Sequence, residues 1–350
     1  MIAERLQNVK RILVLNRNQI GDCLLTTPLL RALKRGYPGA HLAVAIPEPR
    51  RDLLATNPHV DEIVIRPRRD RWVDKFQFAI DIRRRDYDLI ISLQEKSLFY
   101  AWATYYAALA RSRCVTVALD HPRTRRYYQQ NVPIQPDRHE VYKYLDIARL
   151  IHCPAEQSPV LELQPTKDAR AWVRQFVSDR GVDPDTRFIA INPGATMEEK
   201  RWPVERFAEV AERLHQELGL PVMILGGEED RERAAGIVNG MTHRPLVTAG
   251  MASLAHTAAL LERCELLVTG DTGPMHMAVA MAVPVVALFG PTNPLKFGPF
   301  SRNKVVLRHD EPCETCALPC THTITAEECL GAAMKLYNPP PGRRAGVERR

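Results

Sequence analysis

Several features that would place a chain in a specialised class are absent from this sequence. No uninterrupted apolar run reaches the roughly 20 residues that a membrane-spanning helix needs. The charged amino-terminal segment MIAERLQNVKR is followed by only four apolar residues, Ile12–Leu15, and lacks the apolar core of a secretory signal. Eight cysteines in 350 residues are too sparse for a disulfide scaffold. We therefore expect a soluble, cytoplasmic protein whose cysteines are mostly buried thiols.

Two functional classes are disfavoured by further absences. No Gly-x-Gly-x-x-Gly follows any apolar run, which argues against a nicotinamide-dependent oxidoreductase. No segment combines aromatic and basic residues in the manner of an RNA-binding module, so the net charge of +7 does not indicate a nucleic-acid partner. A noncatalytic protein that binds sugar nucleotides stays open as an alternative to an enzyme.

Positive charge is concentrated in the first half of the chain. Residues 1–165 contain 26 Lys and Arg against 18 Asp and Glu, an excess of +8, whereas residues 166–350 contain 22 against 23, a balance of −1. The field of the first half favours anionic partners, although each basic run can equally be a solvated surface. The contributing runs are Arg66, Arg68, Arg69 and Arg71, then Arg83, Arg84 and Arg85, then Arg111, Arg113, Arg123, Arg125 and Arg126.

Short apolar runs alternate with segments of helical length throughout the chain. The runs RILVLN, HLAVAIP, DEIVIRP, DLIISL and CVTVAL predict strands in the first half, and FIAINPG, PVMILGG, PLVTAG, ELLVTGD and VPVVALFG predict strands in the second. This alternation is typical of an α/β fold with parallel sheets. A proline-bearing stretch, 152–168, separates the halves. We predict two domains, 1–165 and 166–350, and a flexible tail, 338–350.

The loops that follow strands are where an α/β protein places its ligands. In TGDTGPMHMA, Gly270–Gly273 predict a tight turn before a helix whose free N–H groups suit a diphosphate. Asp271 is either a helix N-cap or a contact to sugar hydroxyls. His276 is either a packed helix residue or a phosphate contact.

Two further loops of the second half carry candidate ligand contacts. In NPGATMEEKRWP, Thr196 offers a hydroxyl and Lys200 a positive charge suited to a departing phosphate, although such lysines also occur on ordinary surfaces. In GGEED, Glu228 either binds a ribose hydroxyl or caps a helix.

The opening stretch VLNRNQIGDCLLTTPLL places Gly21 and Asp22 in a turn between a strand and a helix. A carboxylate at the mouth of such a turn can take a proton from a ligand hydroxyl, or it can cap the helix LLTTPLLRAL. Both interpretations of Asp22 are open at this point.

The four motifs, in this order along nearly the whole chain, resemble the family 9 glycosyltransferases, the heptosyltransferases that build the core of bacterial lipopolysaccharide. The resemblance implies a GT-B fold, in which two Rossmann-like α/β domains with parallel sheets face each other across a cleft. It implies inverting transfer of a heptose or related sugar from a nucleotide-sugar, typically ADP-heptose, to a lipopolysaccharide core or related glycolipid.

The resemblance also assigns roles to residues by position. Asp22 matches the general base and Lys200 the phosphate-binding lysine, while the amino-terminal domain holds the acceptor and the carboxy-terminal domain the donor. Because the +8 excess lies in the half that the resemblance assigns to the acceptor, we expect Gly21 and the arginines Arg83, Arg84 and Arg85 to contact an anionic glycolipid acceptor at the inner face of the cytoplasmic membrane, which a monomeric enzyme visits. The expected donor contacts are Thr196, Lys200, Glu228, Asp271, Thr272, Gly273 and His276. No metal ion or other cofactor is expected.

Two patterns resemble metal sites without matching them. Asp86 and Asp88 have the spacing of an Asp-x-Asp metal motif, but an apolar run begins directly after them, so we interpret them as residues that lead into a strand. The Cys-rich segment 313–329 holds Cys313, Cys316 and Cys320 with Cys329, and its spacings fit neither a paired zinc motif nor a cluster motif. A bound metal, reduced thiols and a disulfide all stay open there.

Overall fold

The computed structural model describes residues 2–67, 71–195, 197–311 and 320–337. The chain divides into two compact units, Met1–Gln164 and Pro165–Arg350. The division falls inside the proline-bearing stretch 152–168. Among the predicted features, Thr196, Cys313, Cys316 and the tail 338–350 lie outside the described residues.

The first unit contains a parallel sheet flanked by helices. In the described residues, its strands are β1 (Arg11–Leu15), β2 (His41–Ile46), β3 (Glu62–Ile65), β4 (Leu89–Ser92), β5 (Val115–Leu119) and β6 (Gln130–Val132). Its helices are α1 (Ile2–Arg5), α2 (Ile20–Leu25), α3 (Thr27–Gly36), α4 (Trp72–Arg84), α5 (Leu98–Ala108) and α6 (Glu140–Leu150). The strands lie in the order β3-β2-β1-β4-β5-β6.

The second unit repeats this construction. Its described strands are β7 (Phe188–Asn192), β8 (Val222–Ile224), β9 (Leu246–Val247), β10 (Cys264–Gly270), β11 (Val285–Leu288) and β12 (Lys304–Leu307). Its helices are α7 (Lys167–Ser178), α8 (Val204–Leu218), α9 (Arg231–Gly240), α10 (Leu254–Leu261), α11 (Gly273–Ala280), α12 (Pro294–Phe297) and α13 (Ala326–Leu336). The order β12-β11-β10-β7-β8-β9, read from its other edge, is the order of the first sheet.

The ten predicted strands are confirmed, and both sheets are parallel as expected. Central strands such as β1, β7 and β11 are buried along nearly their whole length, which is why they are continuous apolar runs. The edge strands β6 and β12 were not predicted, because β6 has only three residues and β12 is partly exposed. The arrangement matches a Rossmann-like fold in each unit.

Each sheet reverses its strand order at one place. The chain builds outward from β1 through β2 and β3, then returns to the other side of β1 with β4. In the second unit the same reversal separates β7 from β10. The loops that follow the two strands on either side of the reversal run in opposite directions. The crevice between these loops, at the carboxyl ends of the strands, is the usual ligand site of an open α/β sheet.

The second unit's core holds its carboxy-terminal segment in place. Trp202, which is 1% exposed, packs edge-to-face on Phe207 and donates its indole N–H to the carbonyl of Ile324 at 2.9 Å. Cys329 of α13 belongs to the same core, and burial raises the pKa of its thiol to about 12. Cys329 is therefore a protonated core thiol at neutral pH. Among the described residues, no group of three or more His, Cys, Asp and Glu side chains is arranged to hold a metal ion.

The Asp-x-Asp pattern belongs to the frame of the first sheet. Asp88 is buried and accepts the backbone N–H groups of Lys10 and Arg11 at 2.8 and 3.0 Å. Arg111 forms ion pairs with both Asp86 and Asp88. The interpretation of these residues as the lead into a strand is confirmed, because β4 begins at Leu89.

No described helix is both long and apolar enough to cross a membrane.

One buried arginine holds the end of the first unit's chain against α3. Arg31 is 6% exposed, contacts Glu162 and Glu156, and donates to the carbonyl of Val160 at 3.1 Å. Replacing Arg31 with Ala should lower the free energy of unfolding of the first unit by about 3 kcal/mol, because it removes a buried guanidinium that pairs with both Glu156 and Glu162. Urea denaturation followed by tryptophan fluorescence measures this loss.

Arg35→Ala is the matched control, because Arg35 also pairs with Glu156 but its side chain is 52% exposed. An exposed pair contributes about 0–1 kcal/mol. Equal losses for the two variants would show that Arg31 is not the residue that anchors this segment.

Candidate functional site

Lys200 and Asp271 form an ion pair across the strand reversal of the second unit. Lys200 ends a short 3-10 turn, Glu198–Lys200, in the loop that follows β7, and Asp271 follows β10 directly. The Lys200 Nζ lies 2.7 Å from the Asp271 Oδ2, and their side chains are only 15% and 11% exposed. Two loops that are 71 residues apart in the chain thus meet at one point.

The amino end of α11 lies beside this pair. Thr272 is the N-cap residue of α11, but its side chain makes no capping hydrogen bond. Its hydroxyl instead lies 3.1 Å from the Asn192 side-chain nitrogen and 3.0 Å from the Thr269 hydroxyl. The first turn of α11 therefore begins without a side-chain cap, which leaves its N–H groups and the positive end of the helix dipole suited to an anion.

The alternatives for the residues of this loop are now resolved in part. Asp271 is not the N-cap, because Thr272 holds that position. Gly273 is the first residue of α11, which permits close approach of a ligand to the backbone. His276, one turn further along α11, is 5% exposed, so its side chain is largely buried, and its role as a phosphate contact stays a prediction.

Glu228 and Asp230 both lie in the loop after β8, but one is exposed and the other is buried. Glu228 has a 72% exposed side chain and pairs with Arg231 at 2.9 Å, so it is a solvent-facing carboxylate at the sheet's carboxyl edge. Asp230 is buried and accepts the Gly227 N–H at 2.9 Å. The capping function considered for Glu228 therefore belongs to Asp230, which the sequence analysis missed.

Two glycines make room for the Asp230 carboxylate. A Cβ at Gly194 would lie 2.5 Å from the Asp230 Oδ2, and a Cβ at Gly226 would lie 2.7 Å from the Asp230 Cβ. Burial raises the pKa of Asp230, against the opposing effect of the Gly227 N–H. Asp230 thus lies where the loops after β7 and β8 approach each other.

Asp22 lies inside the first turn of a helix. Helix α2 begins at Ile20 with Gln19 as its N-cap, so Asp22 is the third helical residue and not the N-cap that one interpretation made it. A backbone hydrogen bond from Gln19 reaches the Asp22 carboxylate. Asp22 is 8% exposed and follows the carboxyl end of β1, at the strand reversal of the first unit.

Burial and neighbouring charges act in opposite directions on Asp22. Burial raises the pKa of the Asp22 carboxyl, and Glu140 adds to the rise, whereas Arg17 lowers it. The Arg17 guanidinium lies 3.6 Å from Asp22 and 3.3 Å from Glu140, so its charge is shared between two carboxylates. The net effect is a carboxylate with a higher proton affinity than an exposed one, as a general base requires.

A cavity of about 630 Å³ opens at the same edge of the first sheet. It is lined by residues of the loops that follow β1 to β4 and by the adjacent helices: Asn18, Gln19, Pro47, Pro49, Arg50, Arg66, Pro67, Lys75, Gln94, Ser97, Phe99 and Tyr100. Gly21 and Asp22 lie two and three residues after Gln19, and Gly21 is buried in α2. The cavity therefore combines a basic lining with a neighbouring buried carboxylate.

The arginine triplet Arg83–Arg85 does not lie at this edge. Arg83 donates to the Tyr106 carbonyl at 2.6 Å, and Arg85 pairs with Glu62, the first residue of β3. Helix α4 runs back along the sheet, so its last turn and Arg85 lie at the amino ends of the strands, opposite Asp22. Arg50, Arg66 and Lys75 are instead the basic residues of the cavity. The expected contact of the triplet with an anionic acceptor stays a prediction.

Comparison with known proteins agrees with this architecture. The model of glycosyltransferase family 9 (heptosyltransferase) matches residues 76–323 of the chain. The chain belongs to this family. Lipopolysaccharide heptosyltransferase 1 of Pseudomonas aeruginosa is 28% identical to the family 9 chain over 333 residues, which cover 91% of it and 89% of the relative.

Solved structures show the same fold. The glycosyl transferase family 9 structure from Veillonella parvula superposes with a TM-score of 0.84 at 28% identity, over 94% of this chain and 97% of that one. The ADP-heptose lipopolysaccharide heptosyltransferase II of Escherichia coli superposes with a TM-score of 0.78 at 23% identity, over 93% and 98%. The predicted GT-B fold class is confirmed for the family 9 chain.

Replacing Asp22 with Asn should raise the melting temperature of the family 9 chain at neutral pH. The raised pKa of Asp22 means that the folded state binds this proton more tightly than the unfolded chain does. The contribution of Asp22 to stability is therefore present at low pH and is lost as the pH rises through the folded pKa. Thermal unfolding at a series of pH values should show a gain for D22N at neutral pH that shrinks on acidification.

Asp52→Asn, at an exposed position of the same unit, should leave the melting temperature unchanged across the series. A lower melting temperature for D22N at neutral pH would show instead that the ion pair with Arg17 outweighs the cost of burial.

Proposed function

We propose that this chain transfers a heptose from ADP-heptose to the core of lipopolysaccharide or a related glycolipid, with inversion at the anomeric carbon. The observation that carries the proposal is the Lys200–Asp271 pair beside the uncapped amino end of α11, an arrangement suited to a sugar diphosphate. Family membership and the similarity to lipopolysaccharide heptosyltransferase 1 support the choice of donor and acceptor.

The second unit is the donor domain in this proposal. The diphosphate lies at the first turn of α11, where Thr272, Gly273 and the Lys200 ammonium face its charge, with Thr196 and His276 as further contacts. Asp271 holds Lys200 in place and accepts hydrogen bonds from the sugar. Glu228, exposed at the end of β8, binds the ribose hydroxyls of the nucleotide.

The first unit is the acceptor domain. Its cavity holds the anionic acceptor through Arg50, Arg66 and Lys75, and Gly21 lets the acceptor approach the backbone of α2. The acceptor hydroxyl has a pKa far above neutrality, so its oxygen becomes nucleophilic only as its proton leaves. Asp22 takes that proton as the oxygen forms a bond to the anomeric carbon.

The bond from the anomeric carbon to the diphosphate breaks in the same step. ADP departs with the bonding electron pair, and the charge that develops on it is stabilised by Lys200 and the helix dipole of α11. Because the oxygen attacks the face opposite the leaving group, the configuration at the anomeric carbon inverts. This chemistry assigns no step to a metal ion or other cofactor.

The setting of the reaction follows from its acceptor. A core glycolipid is held in a membrane while it is assembled, whereas a nucleotide-sugar is a cytoplasmic metabolite, so the enzyme acts at the inner face of the cytoplasmic membrane. The excess of +8 over residues 1–165 suits an anionic acceptor and an anionic surface. A monomer suffices for this chemistry.

Loss of the proposed base should affect turnover but not donor binding. Asp22→Ala should lower kcat roughly 10²- to 10⁴-fold, the usual contribution of a general base, and leave the Kd for ADP nearly unchanged. A transfer assay with ADP-heptose and core-deficient lipopolysaccharide measures kcat, and calorimetric titration measures the Kd. Asp52→Ala is the control at an exposed position of the same unit.

A steep loss of ADP affinity in Asp22→Ala would remove Asp22 from the role of base. If the unaltered chain transfers no sugar from ADP-heptose but does transfer one from another nucleotide-sugar in a panel, the chain is still a glycosyltransferase, but its donor is not ADP-heptose. Binding of a nucleotide-sugar with no transfer to any acceptor would favour a noncatalytic binder.

Lys200 should affect both donor binding and turnover. Its ammonium faces diphosphate charge that is present in the bound donor and grows as ADP leaves, so Lys200→Met should weaken ADP binding roughly tenfold and lower kcat roughly 100-fold. Lys335→Met, at an exposed position of α13, is the control. Unchanged kcat in Lys200→Met would place the diphosphate elsewhere.

A further inference from the structure

Two neighbouring helices of the first unit present large apolar side chains to solvent. On α4, Trp72, Val73 and Phe76 are 78%, 76% and 63% exposed, values that are unusual for residues of this size. On α5, the exposed residues recur at helical spacing along one face. We call this surface the α4–α5 patch; its members are Trp72, Val73, Phe76, Leu98, Trp102 and Tyr105.

The α4–α5 patch is continuous between the two helices. The rings of Phe76 and Trp102 lie with centroids 6.3 Å apart, which joins the exposed residues of α4 to those of α5. Trp102 in turn stacks on Tyr106 at 5.4 Å. Leu109, directly after α5, extends the apolar surface and is 62% exposed. The exposed side chains thus form one surface and are not scattered singly.

Basic side chains border the patch. The Lys75 ammonium lies 4.5 Å from the centroid of the Trp72 ring, and the Arg83 guanidinium lies 4.4 Å from that of Tyr106. Arg71 precedes α4 and Arg84 ends it, both exposed. Aromatic rings beside Lys and Arg are the composition that binds the headgroup region of an anionic bilayer.

The patch also adjoins the acceptor cavity. Lys75 of α4 and Phe99 and Tyr100 of α5 line that cavity, while the next residues of the same two helices, Phe76 and Leu98, belong to the patch. A surface lying on the patch would therefore be next to the cavity's opening in the same unit.

We propose that the α4–α5 patch docks on the surface of an anionic lipid bilayer, with Trp72, Val73 and Phe76 inserted among the headgroups. The purpose of this docking, delivery of a lipid-anchored acceptor to the adjacent cavity, rests on the proposed function. The basic border favours a bilayer over a second copy of the chain, because a symmetric dimer through this face would bring the two sets of arginines and lysines together.

Vesicle sedimentation tests the docking without any reaction. The full chain should sediment with vesicles of phosphatidylethanolamine containing about one quarter phosphatidylglycerol, and much less with phosphatidylcholine alone or as salt rises. The double variant W72S/F76S should lower the vesicle partition coefficient at least roughly tenfold. The matched control is V160S/L295S, which removes two apolar residues that are 59% and 66% exposed outside the patch.

Equal partitioning of W72S/F76S and the control would overturn the proposal. So would loss of a dimer in W72S/F76S on sedimentation equilibrium without any vesicle binding by the unaltered chain. Arg84→Glu should weaken partitioning and flatten its salt dependence, and an unchanged salt dependence would count against the role of the basic border.

Kinetics separate this proposal from the proposed function. With a delipidated, water-soluble acceptor, W72S/F76S should keep the unaltered kcat/KM, whereas with acceptor embedded in vesicles its kcat/KM should fall at least about fivefold. If the chain binds vesicles through the patch but transfers no sugar, the proposed docking surface is supported and only the proposed function is refuted.

Discussion

The reversal of strand order in each parallel sheet is the constraint on which the rest of this structure depends. Because all strands of a sheet point the same way, every strand-exit loop lies at one edge, and the reversal separates two of those loops. In the first unit it sets the β1 loop with Asp22 beside the β4 loop, where the Gln94 side chain contacts the Asn16 carbonyl. In the second it sets Lys200 opposite Asp271.

The Lys200–Asp271 pair and the Asp22 carboxylate differ in how their charges are balanced. Lys200 and Asp271 are a close pair in which each charge is met by the other, so the loops are held in position before any ligand arrives. Asp22 is buried with a cation shared between it and Glu140, and its charge is incompletely balanced. A preformed anion site stabilises a leaving group, whereas a carboxylate with raised proton affinity accepts a proton.

The sequence predicted correctly the central strands and the loops that follow their carboxyl ends. Apolar runs predicted the central strands, and the residues directly after them predicted the Lys200 and Asp271 loops, because parallel strands bring their carboxyl ends together. It did not place Arg83–Arg85 at either edge of the sheet, since a run of charge does not tell which end of a helix meets which edge. Asp230 was missed because its neighbours Glu228 and Glu229 have the same chemistry, and only packing against Gly194 and Gly226 distinguishes it. The α4–α5 patch was also missed, because a helix rich in aromatics predicts burial.

Hydrogen exchange with and without ADP tests whether the nucleotide binds at the strand reversal of the second unit. We expect ADP to slow exchange in segments 197–201, 226–231 and 270–278, which follow β7, β8 and β10. Protection confined to segment 16–26 of the first unit, with exchange in 270–278 unchanged, would show that ADP does not bind at the strand reversal of the second unit.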